Sequence, residues 1–151
     1  MSELLKGTHF AYFCTTDRAN QVHVAPMFFL FDDKTNEVFV FSFSGSKKIK
    51  NILANPKVCL TVDVRDPENP FENRGVMVQG RATIEKSGEK PSRNQEYTLE
   101  EIYERFNQKY PVLREEPTGQ RDYQEFRDVL VKVTADKMVY WKGPHFISVT
   151  L

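Results

Sequence analysis

Hydrophobic and polar positions alternate along most of this chain, the two-residue period of strands with one buried face. Val58, Leu60, Val62 and Val64 alternate with Cys59, Thr61, Asp63 and Arg65. Gly75–Glu85 sets Val76, Val78 and Gly80 on one face against Met77, Gln79 and Arg81 on the other. His9–Thr16, Val22–Phe31 and Val38–Phe43 read as three more strands, separated by polar turns at Asp17–Gln21 and Asp32–Glu37. The last two are predicted to form a hairpin. Pro26 falls inside Val22–Phe31 and cannot donate to a ladder, which calls for an edge, a bulge or an open N–H side there. Val129–Thr134 and Met138–Lys142 are the expected closing strands.

Helical spacing is brief. Ser2–Lys6 reads as a short helix leading into the core, and Ile49, Ile52 and Leu53 give about Lys47–Ala54 an apolar face. Ser46 is its N-cap, and Asn55-Pro56 stops it. Thr98-Leu-Glu-Glu101 is a capping-box signature opening a helix through about Gln108. Asp66–Asn73, Ser87–Glu96 and Pro111–Asp122 read as polar or irregular links. No internal repeat or domain boundary is evident. The expectation is one mainly β domain over residues 1–151, an antiparallel barrel of six or more strands with two or three short flanking helices.

Composition adjusts this only slightly. Apolar residues make up 40% of the chain, and 12 Phe with 6 Tyr favour a sheet-rich core. Lys+Arg and Asp+Glu balance at 21 each, so no global field recruits nucleic acid or an anionic membrane. Any anion site must be local. Cys14 and Cys59 both lie in strand-like runs and read as small core residues rather than a disulfide or metal site. The opening MSELLKGTHF lacks the long apolar run of a signal peptide, and no segment has the apolar length of a membrane span. A reducing cytoplasm is the expected setting.

The local anion site has a candidate. A helix N-terminus carries partial positive charge and ordinarily recruits Asp or Glu. Here the first turn holds Lys47, Lys48 and Lys50, and Val38–Pro56 contains no acid. Free amide N–H groups, neighbouring hydroxyls and a lysine pair suit a phosphate dianion. The plainer alternative is a solvated lysine cluster. His9, His23 and His145 lack the spacing of a metal motif, and no G-x-S-x-G, Walker loop, H-E-x-x-H or C-x-x-C occurs. His23 is at most a weak pocket candidate, so no catalytic residue and no metal ligand is assigned. Arg74, at the head of a strand, and the single Trp141 are open between surface or core roles and contact with a ligand.

The ordered series HVAPMFFLFDD, VFVFSFSGSKKIKNILANPKVCLTV, RGVMVQGRATI and VLVKVTADKMVYW resembles the pyridoxamine 5′-phosphate oxidase-like family of FMN-binding split barrels, over Phe10–Glu85 and more weakly Val129–Lys142. The resemblance implies a Greek-key split barrel and a homodimer with two flavins at the subunit interface. It implies that Ser46, Lys47 and Lys48 hold the flavin phosphate and that Phe41 and Ser42 contact the cofactor. The strand Val24–Phe29 would run along the isoalloxazine edge, with Val24, Ala25, Pro26 and Met27 as its cofactor contacts and Arg74 and Trp141 reaching the partner's cofactor. The vitamin B6 half of the pattern is absent. Phe29 stands where a substrate lysine is expected, Gly75 replaces a glutamine, and KGPHFISVTL after Trp141 contains no Arg-x-His. The expectation is therefore flavin redox chemistry on another small molecule. F420 as cofactor, or a non-catalytic flavin store or sensor, are the alternatives.

Overall fold

The computed structural model describes residues 1–86, 97–113 and 128–151. Eight strands make one antiparallel sheet: β1 (Ala11–Thr16), β2 (Val22–Met27), β3 (Leu30–Asp32), β4 (Glu37–Ser42), β5 (Lys57–Val64), β6 (Arg74–Lys86), β7 (Val129–Lys142) and β8 (His145–Thr150). Their order is β2-β1-β5-β6-β7-β4-β3, and β8 pairs with the part of β7 that β4 leaves free. Only Phe28 and Phe29 separate β2 from β3, the two ends of this order, so the sheet curls until its edges are neighbours. No ladder joins them among the described residues, and the barrel is split. Helices α1 (Ser2–Gly7), α2 (Lys47–Ala54) and α3 (Leu99–Lys109) flank it.

The strand alternation sorts side chains as its period requires. Phe13, Leu60, Val62, Val76, Val78 and Val133 are fully buried inside the curl. The uninterrupted VFVF of β4 is buried on both faces. Val38 and Val40 join the main core, while Phe39 and Phe41 join a second cluster under Ile102 and Phe106 of α3. Thr98 and Glu101 form the expected capping box.

Four expectations change. Val22–Phe31 is two strands rather than one: β2 pairs with β1 as a sheet edge, which accommodates Pro26, and only β3 forms the hairpin with β4. The two closing strands are one continuous β7, with Asp136 bulged opposite Gln79/Gly80. Strand β8 was not expected, because all six of its residues are exposed and carry no burial period. Cys14 and Cys59 are free but not core; they are half-buried on the outer parity of β1 and β5, directly opposite each other. The links at Ser87–Glu96 and beyond Leu113 lie outside the described residues. Among the described residues no helix is long and apolar enough to cross a membrane.

Candidate functional site

Strand β4 ends at Ser42, and the chain turns so that the Ser46 N–H donates to the Phe43 carbonyl at 3.0 Å. The Ser46 Oγ accepts from the Ile49 N–H at 3.4 Å and lies 3.1 Å from the Ser42 Oγ, both residues being buried. Ile49 and Ile52 seat α2 on the core. The buried Asn51 amide donates to the Thr15 hydroxyl of β1 at 2.9 Å. The helix is thereby fixed with its charge-free cap beside the end of β4.

The adjacent lysines that open the first turn, Lys47 and Lys48, differ. The Lys47 side chain is 53% exposed, and its Nζ lies 3.4 Å from the Asp17 carboxylate. Lys48 is half-buried, with no acidic partner among the described residues, and burial pushes its pKa down. No acid stands in that turn. Carboxylates stand nearby, Asp128 accepting from the Ser44 N–H at 2.8 Å and Asp17 meeting Lys47, but the partly dehydrated Lys48 ammonium has no acidic partner among the described residues, so its position favours an anion. Phe41 is placed differently: its ring packs edge-on against Phe106 at 5.0 Å, and its backbone pairs in register with Leu130 of β7.

On the edge strand β2, Val24 and Pro26 are exposed and stand opposite Cys14 and Tyr12; Ala25 and Met27 are half-buried. His23 pairs in register with Thr15, and its buried Nδ1 has no hydrogen-bond partner. Residues 23, 15 and 51 thus link the edge strand to α2.

Arg74 and Trp141 lie elsewhere. Ser42 pairs with Val129 at one end of β7, whereas Arg74 pairs with Lys142 and Gly75 with Trp141 at the other. From Val129 to Trp141 the strand covers about 40 Å. Within one chain these residues do not join the lysine cluster. The indole lies against Gly75, where a Cβ would come within 2.1 Å of the Trp141 Cζ2. Beside it opens a cavity of about 770 Å³, lined by Cys14, Cys59, Met77, Val139, Trp141 and Phe146 among others, none of them charged. Burial, with Cys14 adjacent, pushes the Cys59 thiol up to about 11, and burial raises Cys14 as well. Both remain neutral thiols near pH 7. Sequence reasoning missed this cavity wall, although strand parity carried the signal: Cys14 sits between Phe13 and Thr15, and Cys59 between Val58 and Leu60, all four buried.

A family model described as pyridoxamine 5′-phosphate oxidase matches residues 1–142. Similar solved structures include an F420 reductase, 22% identical over 91% of this chain and 94% of that one, with a TM-score of 0.63. A FAD-binding protein from Mesorhizobium loti is 18% identical over 92% and 87% of the two chains, with a TM-score of 0.63. A heme-binding protein from Mycobacterium smegmatis is 12% identical, with a TM-score of 0.71; the match covers 99% of this chain but only 56% of that one. At such identities the likeness is one of fold. Comparison with curated protein sequences finds no match.

Proposed function

The chain belongs to the pyridoxamine 5′-phosphate oxidase family, and from that premise we propose that it is an FMN-binding flavoprotein, an oxidoreductase acting on a small molecule other than vitamin B6. One observation carries the reading: half-buried Lys48, without an acidic partner among the described residues, stands in a helix first turn that contains no acid, beside the buried Ser42–Ser46 hydroxyl pair. That donor set fits a phosphate monoester.

When bound, FMN would supply two-electron redox chemistry that no side chain provides. The chain's own residues bind and orient. Lys48, Ser46 and Lys47 hold the phosphate, and the β2 backbone from Val24 to Met27 borders the ring. Pro26 leaves that ladder edge open. Arg74 and Trp141 come from the second copy of a cytoplasmic homodimer. The B6 substrate is disfavoured because Phe29 is fully buried, with Lys109 Nζ 4.0 Å from its ring centre, and because the indole occupies the space over Gly75.

The test is the visible spectrum of the purified protein, with mass identification of what it releases on denaturation. A yellow protein releasing FMN is expected. A colourless protein that takes up F420 and not FMN would replace FMN by the deazaflavin at the same phosphate site. Repeated reduction and reoxidation of the flavin with NAD(P)H and a substrate panel is expected of an enzyme; a flavin that never turns over would make the protein a flavin store or sensor.

A further inference from the structure

We infer that the cavity beside Trp141 binds a flat, neutral, apolar organic molecule carrying a hydrogen-bond acceptor. This deepens the flavoprotein reading by naming its substrate class, and only the word substrate rests on that reading. The cavity's volume of about 770 Å³ suits a small organic ligand. Its walls are aromatic and sulfur-bearing, with Trp141, Phe71, Met77 and the two cysteine thiols, and no lining side chain is charged. Such surfaces favour a polarisable ring, whereas a charged ligand would lose water and find no counter-ion.

The polar groups narrow the choice further. The Thr61 hydroxyl already donates to the Val76 carbonyl at 3.2 Å. The Asn73 side-chain oxygen accepts from the Asp66 N–H at 2.7 Å, which leaves the Asn73 NH₂ group, like the Trp141 indole N–H, as an available donor. A ketone or quinone-like oxygen is the complement to that donor.

The cavity is held open by contacts of the chain itself. Gly75 lets the indole lie against the strand. Gly143, at φ +51°, brings the β7–β8 turn so close that a Cβ there would lie 2.8 Å from the Phe71 carbonyl oxygen. The Gly143 N–H donates to the Asn73 carbonyl at 2.8 Å, and Lys142 pairs with Glu72 at 2.8 Å. The Pro70–Asn73 rim is thus latched to the turn without a ligand.

The experiment is equilibrium dialysis of the purified, cofactor-loaded protein with prodan, a neutral naphthalene ketone, against 6-(dimethylamino)-2-naphthoate, the same ring system ending in a carboxylate. Quenching of the only tryptophan, Trp141, reports the location. One prodan per chain is expected, with the naphthoate at least tenfold weaker. Met77→Glu should weaken prodan at least tenfold. Asn73→Asp keeps the oxygen that Asp66 uses, removes the donor, and should weaken it severalfold. Equal binding of the naphthoate, prodan binding unaltered by both variants, or exclusion of prodan from the native assembly (a second copy covering the cavity) overturns the inference. A colourless protein that still binds prodan at Trp141 removes the flavin reading and keeps the cavity; a yellow protein that excludes prodan does the reverse.

Discussion

At the scale of the residue, Lys48 differs from its neighbour Lys47 in one respect that matters. Both sit in the first turn of α2, but Lys47 is exposed and meets Asp17, while Lys48 is half-buried with no acidic partner among the described residues. A charged hydrogen bond at a partly dehydrated site contributes about 1.5–3 kcal/mol. Lys48→Ala is therefore expected to weaken FMN at least tenfold, and Lys47→Ala markedly less, measured by flavin-fluorescence titration of the cofactor-free protein. A larger loss from Lys47→Ala would move the phosphate to the outer side of the helix. Burial lowers the Lys48 pKa, so its charge, and the grip on the phosphate, should fade as pH rises into the alkaline range sooner than for a free lysine. Lys48→Arg should flatten that decline. Gly75 offers a second test at this scale. A Cβ there would lie 2.1 Å from the indole and 2.6 Å from the Val62 carbonyl oxygen. Gly75→Ala is expected to cost about 1–3 kcal/mol and to displace Trp141, seen as a red shift of its emission.

Elements are joined by buried polar groups that periodicity does not reveal. Asp32 is 2% exposed; it accepts from the Lys34 and Thr35 N–H groups at 2.9 and 3.1 Å and from Arg105 Nη1 of α3 at 2.6 Å. Burial pushes this carboxyl up, but the guanidinium and the turn N–H groups outweigh it and hold the pKa at about 2, below the ordinary 3.8. A depressed carboxylate stabilises the fold fully above its unfolded pKa and loses that contribution as pH falls through the folded one. About 2 kcal/mol should therefore disappear between roughly pH 4 and pH 2. Asp32→Asn should lower the urea midpoint at pH 7 and blunt that acid-induced loss. The same scale explains what the sequence made legible. Strands β5 and β6, buried on one face, and α3, opened by its capping box, announce themselves. The break after Met27 does not, because Val22–Phe31 is apolar apart from His23 and its division depends on Tyr110. That hydroxyl accepts from the Phe29 N–H at 3.0 Å and lies 2.7 Å from the Phe29 carbonyl oxygen. It substitutes for a strand partner at the gap, from 81 positions along the chain. Tyr110→Phe leaves that buried N–H unpaired and should cost about 1–3 kcal/mol by denaturant unfolding. The lysine turn was legible because a run of lysines at a helix start violates the usual charge preference. The cavity was not, since its wall forms only when β1, β5, β6 and β7 lie side by side.

The whole molecule imposes a constraint that no single element carries. The Ser42–Lys48 cluster belongs to one end of β7, through the pairing of Ser42 with Val129, while Arg74 and Trp141 belong to the other end. About 40 Å of strand separates them. If all of them serve one cofactor, two copies must meet with opposite ends together, which a two-fold axis provides. The outer face has the character for such a contact: Tyr12, Val22 and Val24 are exposed apolar residues on neighbouring strands β1 and β2. The arrangement can be tested by complementation. Chains carrying Lys47→Ala and Lys48→Ala, or Arg74→Ala and Trp141→Ala, should each bind FMN poorly alone. In a mixed dimer one site inherits both sets of defects and the other inherits none. Equal amounts refolded together should therefore recover about one quarter of the wild-type tight sites, since about half of the dimers are mixed. If instead the site is complete within one chain on the lysine cluster alone, the chain carrying Arg74→Ala and Trp141→Ala binds FMN tightly by itself, and that result would disprove the shared interface while leaving the lysine cluster as the phosphate anchor.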